Sequence, residues 1–290
     1  MKAKEKLGQV ILHMVFILLT IAYLLPFVTL VSSSFSTETS LFQHGYGIFP
    51  REFSFEAYKL AFRNPEQMIR AYGVTIFFTA TATFLSTLVM ALLAYPLSRP
   101  NFLWKKQLNF LVYFTMLFSG GMVPSYMLIT SVLHMNDSIW VYIIPNLIAA
   151  YNVLIIRTSY RSIPDELIEA AKIDGAKELY ICFKIVIPLN RASIASVAFL
   201  YMVTRWNDWL TTSLYIKDYK LYSLQYLLQR LLREVDFLKS AAEMVSSDAT
   251  IPSQTLRLAM AVIAAGPVLV IFPFFQKYFT KGMTLGGVKG

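Results

Sequence analysis

Five long stretches of the chain contain no charged residue, and they restrict its possible folds more than any other feature. They are residues 8–31, 71–97, 107–133, 138–156 and 258–276, with 24, 27, 27, 19 and 19 residues. A helix of roughly 20 apolar residues crosses a bilayer core about 30 Å thick. Each stretch is therefore predicted to be a transmembrane helix.

A sixth segment, residues 192–216, is long enough to span but is interrupted by Arg205 and Asp208. Charged side chains at membrane depth are costly, so they usually face a protein interior or a watery cavity. Counting this segment gives six spans and places both termini on one side of the membrane. We therefore predict it to be the fifth span along the chain.

The composition fits this class, because only 15% of the residues are charged, against about 25% in soluble domains. The net charge of +9 could indicate nucleic acid or acidic ligands, but in a membrane protein the distribution of charge decides more than the total. The single cysteine, Cys182, cannot form an internal disulfide. The first apolar run is too long for a signal-peptide core and is predicted to be retained.

The basic residues indicate the orientation. The side that holds both termini has 15 lysines and arginines in short segments, whereas the other side has nine in two loops of about 40 residues. Short loops rich in Lys and Arg stay in the cytoplasm. Both termini are thus predicted to be cytoplasmic. On the outer side, residues 221–232 have helical apolar spacing and are predicted to lie along the membrane surface or cap the bundle.

A short polar segment, residues 161–188, separates the fourth and fifth spans on the cytoplasmic side. Ser162 with Asp165 three residues later, and Pro164 between them, predicts a capped helix start. Gly175 predicts the helix end, since glycine readily adopts the left-handed conformation. A second helix is predicted over 177–187, which gives two helices joined at a bend. The residues alone leave open whether this loop is a docking element or a solvated connector.

The segment "EAAKIDGAKELYICFKIVIP" resembles the EAA loop of permease subunits of ABC importers. The residues that match that pattern in register are Glu169, Ala170, Ala171, Gly175, Ile185 and Pro188. The residues that match its carbohydrate version are Asp174, Ala176 and Phe183. Ile187 replaces a leucine of the pattern, and Ala192 replaces a proline.

The resemblance covers nearly the whole chain and is closest to the maltose-type second permease. "RWNDWL" is similar to the fifth span of sugar permeases, and "KGMTLGGVKG" to their glycine-rich tail. "GGMVPSYMLI" and "LYSLQYLLQRLL" are similar to the branch that imports oligosaccharides or larger glycans. The resemblance implies an all-α type I ABC importer permease with six transmembrane helices, residues 1–290 forming one domain in the bacterial cell membrane.

The partners also follow from the resemblance. They are a second homologous permease, two copies of a cytoplasmic ATPase and an extracytoplasmic solute-binding protein. The chain has no glycine-rich loop ending in Gly-Lys-Ser/Thr, so ATP and Mg²⁺ are expected on the ATPase, and the chain is expected to be a transport subunit without a cofactor and not an enzyme. The expected ATPase-coupling residues are Glu169, Ala170, Ala171, Asp174, Gly175, Ala176, Phe183 and Pro188.

Polar residues within two spans are candidates for the carbohydrate pathway. One turn of the fifth span holds Arg205, Trp206, Asn207 and Asp208, and the fourth span holds Asn146, Tyr151 and Asn152. Sugars are bound by hydrogen bonds to hydroxyls and by stacking on aromatic rings, and these residues offer both. The alternatives are an Arg205–Asp208 ion pair, an interfacial Trp206, hydrogen bonding between helices, and sugar contacts made by the second permease.

Two other functional classes are less consistent with the sequence. An ion-coupled secondary transporter usually carries ionisable residues in several spans and often has two related halves. In this chain only the fifth span carries charges well inside it. An intramembrane enzyme needs a polar catalytic constellation; none is found, and His13, His44 and His134 lack metal-ligand spacing, so no catalytic or metal site is predicted.

Overall fold

The computed structural model describes residues 2–244 and 252–286, and most of these residues are helical. In chain order the α-helices are α1 (Lys2–Ser34), α2 (Glu38–His44), α3 (Glu56–Ala61), α4 (Pro65–Ser98), α5 (Lys105–Leu117), α6 (Met122–Met127), α7 (Ala150–Tyr160), α8 (Asp165–Ile173), α9 (Glu178–Ile181), α10 (Ile187–Leu189), α11 (Arg191–Trp206), α12 (Leu210–Tyr215), α13 (Leu224–Met244) and α14 (Ser253–Gly286). The final residues of the glycine-rich tail, 287–290, lie outside the described ranges.

Helical turns of other kinds connect several of these α-helices. Tight 3-10 turns lie at Ile139–Tyr142, Ile144–Asn146 and Tyr219–Leu221, and wider π turns at Leu128–Val132 and Cys182–Val186. Among the described residues the only β pairing is one isolated antiparallel bridge between Ser36 and Phe53. The predicted all-α fold is therefore confirmed.

Three continuous helical segments have the length and apolarity of membrane spans. They are Gly8–Ser34, Pro65–Ser98 and Ser253–Gln276. Three further helix pairs qualify only together, because each is bent: Lys105–Leu117 with Met122–Val132 by 113°, Ile139–Asn146 with Ala150–Tyr160 by 49°, and Glu178–Leu189 with Arg191–Trp206 by 80°. The described chain thus has three spans, or six if each bent pair crosses once.

The breaks occur at residues that disfavour a straight helix. Gly121, between α5 and α6, has a positive φ of 86°. Pro145 lies in the 3-10 turn before α7, and Pro188 lies in α10, before the bend at Asn190. The predicted segment 192–216 contains two helices, since α11 ends at Trp206 and α12 begins at Leu210. The outer helix predicted over 221–232 is the longer α13.

The chain divides into two compact units, residues 1–66 with 227–267 and residues 67–226 with 268–290. In the first unit, the Glu38 carboxylate is buried and accepts hydrogen bonds from the backbone N–H groups of Gln254 and Thr255, both at 2.9 Å. This acidic cap stabilises the first turn of α14, where backbone N–H groups lack partners. None of the apolar window of α1 is buried within the chain.

The second unit holds the main apolar core and the predicted site residues. At its centre the Phe78 and Tyr142 rings stack with centroids 4.3 Å apart. The fully buried Tyr142 hydroxyl donates to the Leu221 carbonyl oxygen at 2.8 Å, which satisfies its polar end. The interpretation of residues 1–290 as a single domain, with the predicted span boundaries, stays a prediction.

Candidate functional site

The first helix of the 161–188 segment, α8, begins without a side-chain cap. Its N-cap residue is Pro164, and the Ser162 hydroxyl donates to the Ser159 carbonyl oxygen at 2.7 Å. The capping box predicted for Ser162 and Asp165 is therefore wrong, because the hydroxyl serves the end of the preceding helix. Asp165 in the first turn and Lys172 in the last turn instead place charges that complement the helix dipole.

The bend after α8 depends on Gly175. Its φ is +81°, as predicted for the helix stop. The Ala176 N–H donates to the Ala171 carbonyl oxygen at 2.9 Å and the Gly175 N–H to the Lys172 carbonyl oxygen at 3.0 Å, which is a Schellman closure. A Cβ at Gly175 would meet no heavy atom of the described residues within 4 Å. The requirement for glycine therefore comes from the backbone conformation and not from crowding.

We call residues 161–188 the elbow. Ile168 and Ile181 anchor it, with exposed fractions of 4% and 0%. Of the predicted coupling residues, Ala171 and Ala176 are half-buried and the others are exposed: Glu169, Ala170, Asp174, Gly175, Phe183 and Pro188. Three further apolar side chains project outward, since Ile173, Leu179 and Tyr180 are 86%, 70% and 58% exposed. The elbow thus exposes apolar side chains together with the carboxylates of Glu169 and Asp174.

Polar contacts join the elbow to the end of α4. The Tyr95 hydroxyl donates to Glu178 Oε2 at 2.5 Å, and Lys172 Nζ lies 2.6 Å from Glu178 Oε1. These bonds with Lys172 and Tyr95 hold the pKa of the Glu178 carboxyl below its ordinary value. Arg99 Nη2 donates to the Tyr160 carbonyl oxygen at 3.0 Å. Sequence reasoning missed Tyr95, Arg99 and Glu178, although the charge of Arg99 directly after an uncharged run was a signal.

The candidate pathway turn after α11 is internally paired. Arg205 Nη1 lies 3.2 Å from Asp208 Oδ2, and both side chains are mostly buried, with exposed fractions of 13% and 8%. Asp208 also accepts hydrogen bonds from the Thr211 N–H at 3.0 Å and the Thr211 hydroxyl at 2.7 Å. The ion pair that the three-residue spacing allowed is thus present, and a pathway role for these two residues stays a prediction.

Trp206 and Asn207 have different surroundings. Trp206 is buried and lines an apolar cavity of about 470 Å³, together with Thr79 and Thr83 of α4. Asn207 is exposed; its amide nitrogen donates to the Val203 carbonyl oxygen at 2.8 Å, and its Oδ1 accepts from Gln225 at 3.3 Å. The structure therefore separates the aromatic and the amide candidates that adjoin in the sequence.

The candidates of the fourth predicted span are also separated. The Tyr201 hydroxyl of α11 donates to the Asn146 carbonyl oxygen at 2.6 Å, and the Arg205 guanidinium lies over the Tyr201 ring at 5.7 Å. Asn146 is thereby brought close to the turn. Asn152 is buried, whereas its neighbour Tyr151 is 63% exposed. Tyr151 and Asn152 therefore differ strongly in exposure, although both were predicted to face the bundle interior.

A family profile and individual proteins match this chain over most of its length. The family profile described as "Binding-protein-dependent transport system inner membrane component" matches residues 6–285. The "Polygalacturonan/rhamnogalacturonan transport system permease protein YtcP" of Bacillus subtilis is 36% identical over 287 residues, which cover 99% of this chain and 100% of that protein. "Protein LplC" of Bacillus subtilis is 39% identical over 270 residues, 92% of this chain and 90% of that protein.

A solved structure is similar over almost its full length. It is one chain of a bacterial ABC transporter involved in the import of the acidic polysaccharide alginate, and it superposes with a TM-score of 0.76 at 25% identity. The alignment covers 95% of this chain and 98% of that chain. The helix order, the breaks and the elbow thus occur within a fold already seen in a polysaccharide importer.

Proposed function

Because the chain belongs to the family of inner membrane components of binding-protein-dependent transport systems, we propose that it is a membrane-spanning permease subunit of an ATP-driven carbohydrate importer. The subunit pairs with a second permease, and this pair works with two ATPase subunits and an extracytoplasmic solute-binding protein. ATP and Mg²⁺ belong to the ATPase, because this chain has no phosphate-binding Gly-Lys-Ser/Thr loop.

The observation that carries this proposal is the exposed elbow. Apolar side chains exposed together, such as Ile173 and Leu179, are typical of a surface that binds another protein. The bend at Gly175 is closed by two backbone hydrogen bonds, so the elbow is shaped before any partner binds. Glu169 lies on the exposed surface of α8 and would make a polar contact with the ATPase.

The mechanism follows from this docking. ATP-driven closure of the two ATPase subunits would move the elbow, and the elbow would move the helices joined to it. The pathway would then open alternately to one side of the membrane and to the other. The chain's own contribution is mechanical, since its residues transmit motion and line part of the route, and no covalent step is required of them.

We infer that the cargo is an oligosaccharide or larger glycan. One relative is named for the transport of polygalacturonan and rhamnogalacturonan, and the solved structure is named for the import of alginate. In this chain, Trp206 offers a ring and Asn207 an amide for sugar contacts, with Asn146, Arg205 and Asp208 close by. The remaining members of the proposed set, Tyr151 and Asn152, follow Asn146 in the sequence at the start of α7.

We infer the orientation from the distribution of charge. Both termini and the elbow are assigned to the cytoplasm, because the short loops on that side carry 15 of the 26 basic residues. This assignment puts the elbow on the side where ATP is available.

Affinity purification of the tagged chain from its own cells tests the function. A second permease and an ATPase should co-purify with it. Deletion of the gene should then abolish growth on at least one of the oligosaccharides derived from polygalacturonan, rhamnogalacturonan, alginate or arabinan, and restoring the gene should restore growth. Purification without an ATPase would overturn the importer assignment, whereas unchanged growth on all of these sugars would overturn the proposed cargo.

A further inference from the structure

Two side chains at the end of α4, Tyr95 within the helix and Arg99 directly after its last residue, contact the elbow or its border. Tyr95 and Arg99 are four residues apart, so they lie one above the other near the end of α4. Both are buried, with exposed fractions of 7% and 8%. Each contacts a different part of the elbow or its border, which gives α4 two separate attachments to it.

The first attachment is the Tyr95–Glu178 hydrogen bond at the start of α9. At 2.5 Å it has the length expected for a hydroxyl that donates to an ionised carboxylate. Glu178 is also paired with Lys172 of α8, so one carboxylate connects α4 with both helices of the elbow. The Lys172–Glu178 pair is about half exposed and contributes little by itself. The bond to Tyr95 is therefore the stronger link of this attachment.

The second attachment is Arg99, which follows the last residue of α4. Its guanidinium donates to the Tyr160 carbonyl oxygen at the end of α7 and lies 3.7 Å from Asp165 Oδ1, the first residue of α8. It also lies over the Tyr95 ring, 5.5 Å from the ring centroid. Arg99 thus contacts the residues at the start of the elbow, whereas Tyr95 is hydrogen-bonded to its second helix, α9.

A proline and a cavity adjoin the segment of α4 between the two attachments. Pro96 lies between Tyr95 and Arg99 and removes one backbone hydrogen bond of the helix. A cavity of about 480 Å³ is lined by Pro96, Leu92 and Leu179 together with both attachment residues. Space beside a proline lets the end of α4 change its direction without first displacing packed side chains.

We propose that the elbow moves the membrane bundle through α4 as well as through the helices covalently joined to it, with Tyr95 and Arg99 as the positioning residues that couple α4 to the elbow. The proposal rests on the proposed function and extends it by naming the route of the motion. When the ATPase displaces the elbow, the Tyr95–Glu178 bond pulls the end of α4 with α9, and Arg99 keeps that end aligned with α8.

Spin-label distances in the assembled importer test this route. Labels at Ile69 and Leu117, both exposed, report the displacement of α4 against α5 in lipid nanodiscs that contain both permeases and the ATPase. In the wild type, ATP with vanadate and the binding protein should shift this distance. Tyr95→Phe should leave ATPase co-purification intact and reduce the shifted population about tenfold, because a hydrogen bond to an ionised group is lost. Asp165→Asn should cause a smaller reduction.

The matched control is Tyr160→Phe. Tyr160 is fully buried nearby, and its hydroxyl has no hydrogen-bond partner among the described residues, so this change removes an oxygen without breaking a hydrogen bond seen there. In the Tyr160→Phe variant, the distance between the two spin labels should shift as it does in the wild type. A full shift in Tyr95→Phe, or no shift in a wild type that retains its ATPase, would overturn the coupling route alone. Absence of the ATPase from the wild-type complex would overturn the proposed function instead.

Discussion

The elbow and the Arg205–Asp208 turn are both polar segments between apolar ones. They differ in whether their polar groups are exposed or are buried and paired. The elbow leaves Glu169 and Asp174 exposed beside outward-facing apolar side chains. In the turn, Arg205 and Asp208 pair with each other at 3.2 Å and are mostly buried. The exposed groups of the elbow stay available for the proposed partner, whereas the mostly buried charges of the turn are satisfied by each other.

The difference has a consequence for carbohydrate transport. Breaking a mostly buried ion pair to bind a sugar would leave a charge without a partner, which is costly. A sugar would therefore gain more from groups that retain spare hydrogen-bonding capacity, such as the exposed Asn207 amide. Asn207 is therefore a better candidate than Arg205 or Asp208 for a direct contact with the sugar. Asp208 instead stabilises the turn through Arg205 and Thr211.

The largest effect is expected from Gly175→Val. The left-handed backbone costs an ordinary L-residue about 1–2 kcal/mol, and a β-branched side chain fits it worse. The bend should open, so uptake should be abolished while the chain stays in the membrane. Uptake and ATPase co-purification measure this. Gly175→Asn is the matched control, because asparagine tolerates this conformation and should retain most of the activity. Unimpaired uptake by Gly175→Val would contradict a preformed elbow.

The next effect is expected from Glu169→Lys. Reversing the charge of an exposed residue does not disturb the fold of α8 but should repel the cationic or polar group that Glu169 contacts. The amount of co-purified ATPase should fall about tenfold or more. Glu56→Lys, which reverses an exposed glutamate of α3, should leave the amount unchanged. Equal amounts of ATPase with both variants would remove Glu169 from the docking surface.

A smaller loss of uptake is expected from substitutions in the Arg205–Asp208 turn. Asn207→Ala should reduce uptake several-fold with the complex assembled and its thermal stability nearly unchanged. Asp208→Ala should reduce uptake and also destabilise the fold by about 3–5 kcal/mol, because Arg205 is left unpaired. Arg205→Met with Asp208→Leu separates the two causes, since it removes both charges. Full uptake by that double variant and by Asn207→Ala would show that the pathway assignment is wrong.

The smallest effect is the loss of stability expected when the Glu178 carboxylate is protonated. Its pKa in the folded chain lies below the ordinary 4.5, so the ionised form stabilises the fold above that value. This contribution is lost as the pH falls through the lower, folded-state pKa. Thermal unfolding of the purified chain should therefore lose stability below pH 4.5, and Glu178→Gln should lose less over the same range. A parallel decline in both proteins would mean that Glu178 is not the group responsible.

The chemistry of local segments explains what could be predicted from the sequence. The uncharged runs indicated membrane helices, since length and apolarity are properties of contiguous residues. The bend at Gly175 was predictable because glycine adopts the left-handed conformation more readily than any other residue. The capping box failed for a related reason: several local partners compete for one hydroxyl, and Ser162 bonds to Ser159 instead.

Contacts between distant residues could not be predicted in this way. Tyr95 and Glu178 are 83 residues apart in the chain, and nothing near either one indicates the other. The hydrogen bond of Arg99 to the Tyr160 carbonyl oxygen joins residues 61 positions apart, so it required the end of α4 to pack beside the end of α7. The separation of Trp206 from Asn207 likewise depends on which neighbours surround each side of the turn.

The sequence by itself determined the membrane class, the helical fold, the location of the elbow and the residue on which its bend depends, because each follows from the apolarity or the backbone preference of adjacent residues. Only the tertiary structure decided that Asn146 lies close to the Arg205–Asp208 turn, that Trp206 and Asn207 have different surroundings, and that α4 is joined to the elbow. Those features arise when segments far apart in the chain pack together, and the energy of such contacts is not a property of either segment alone.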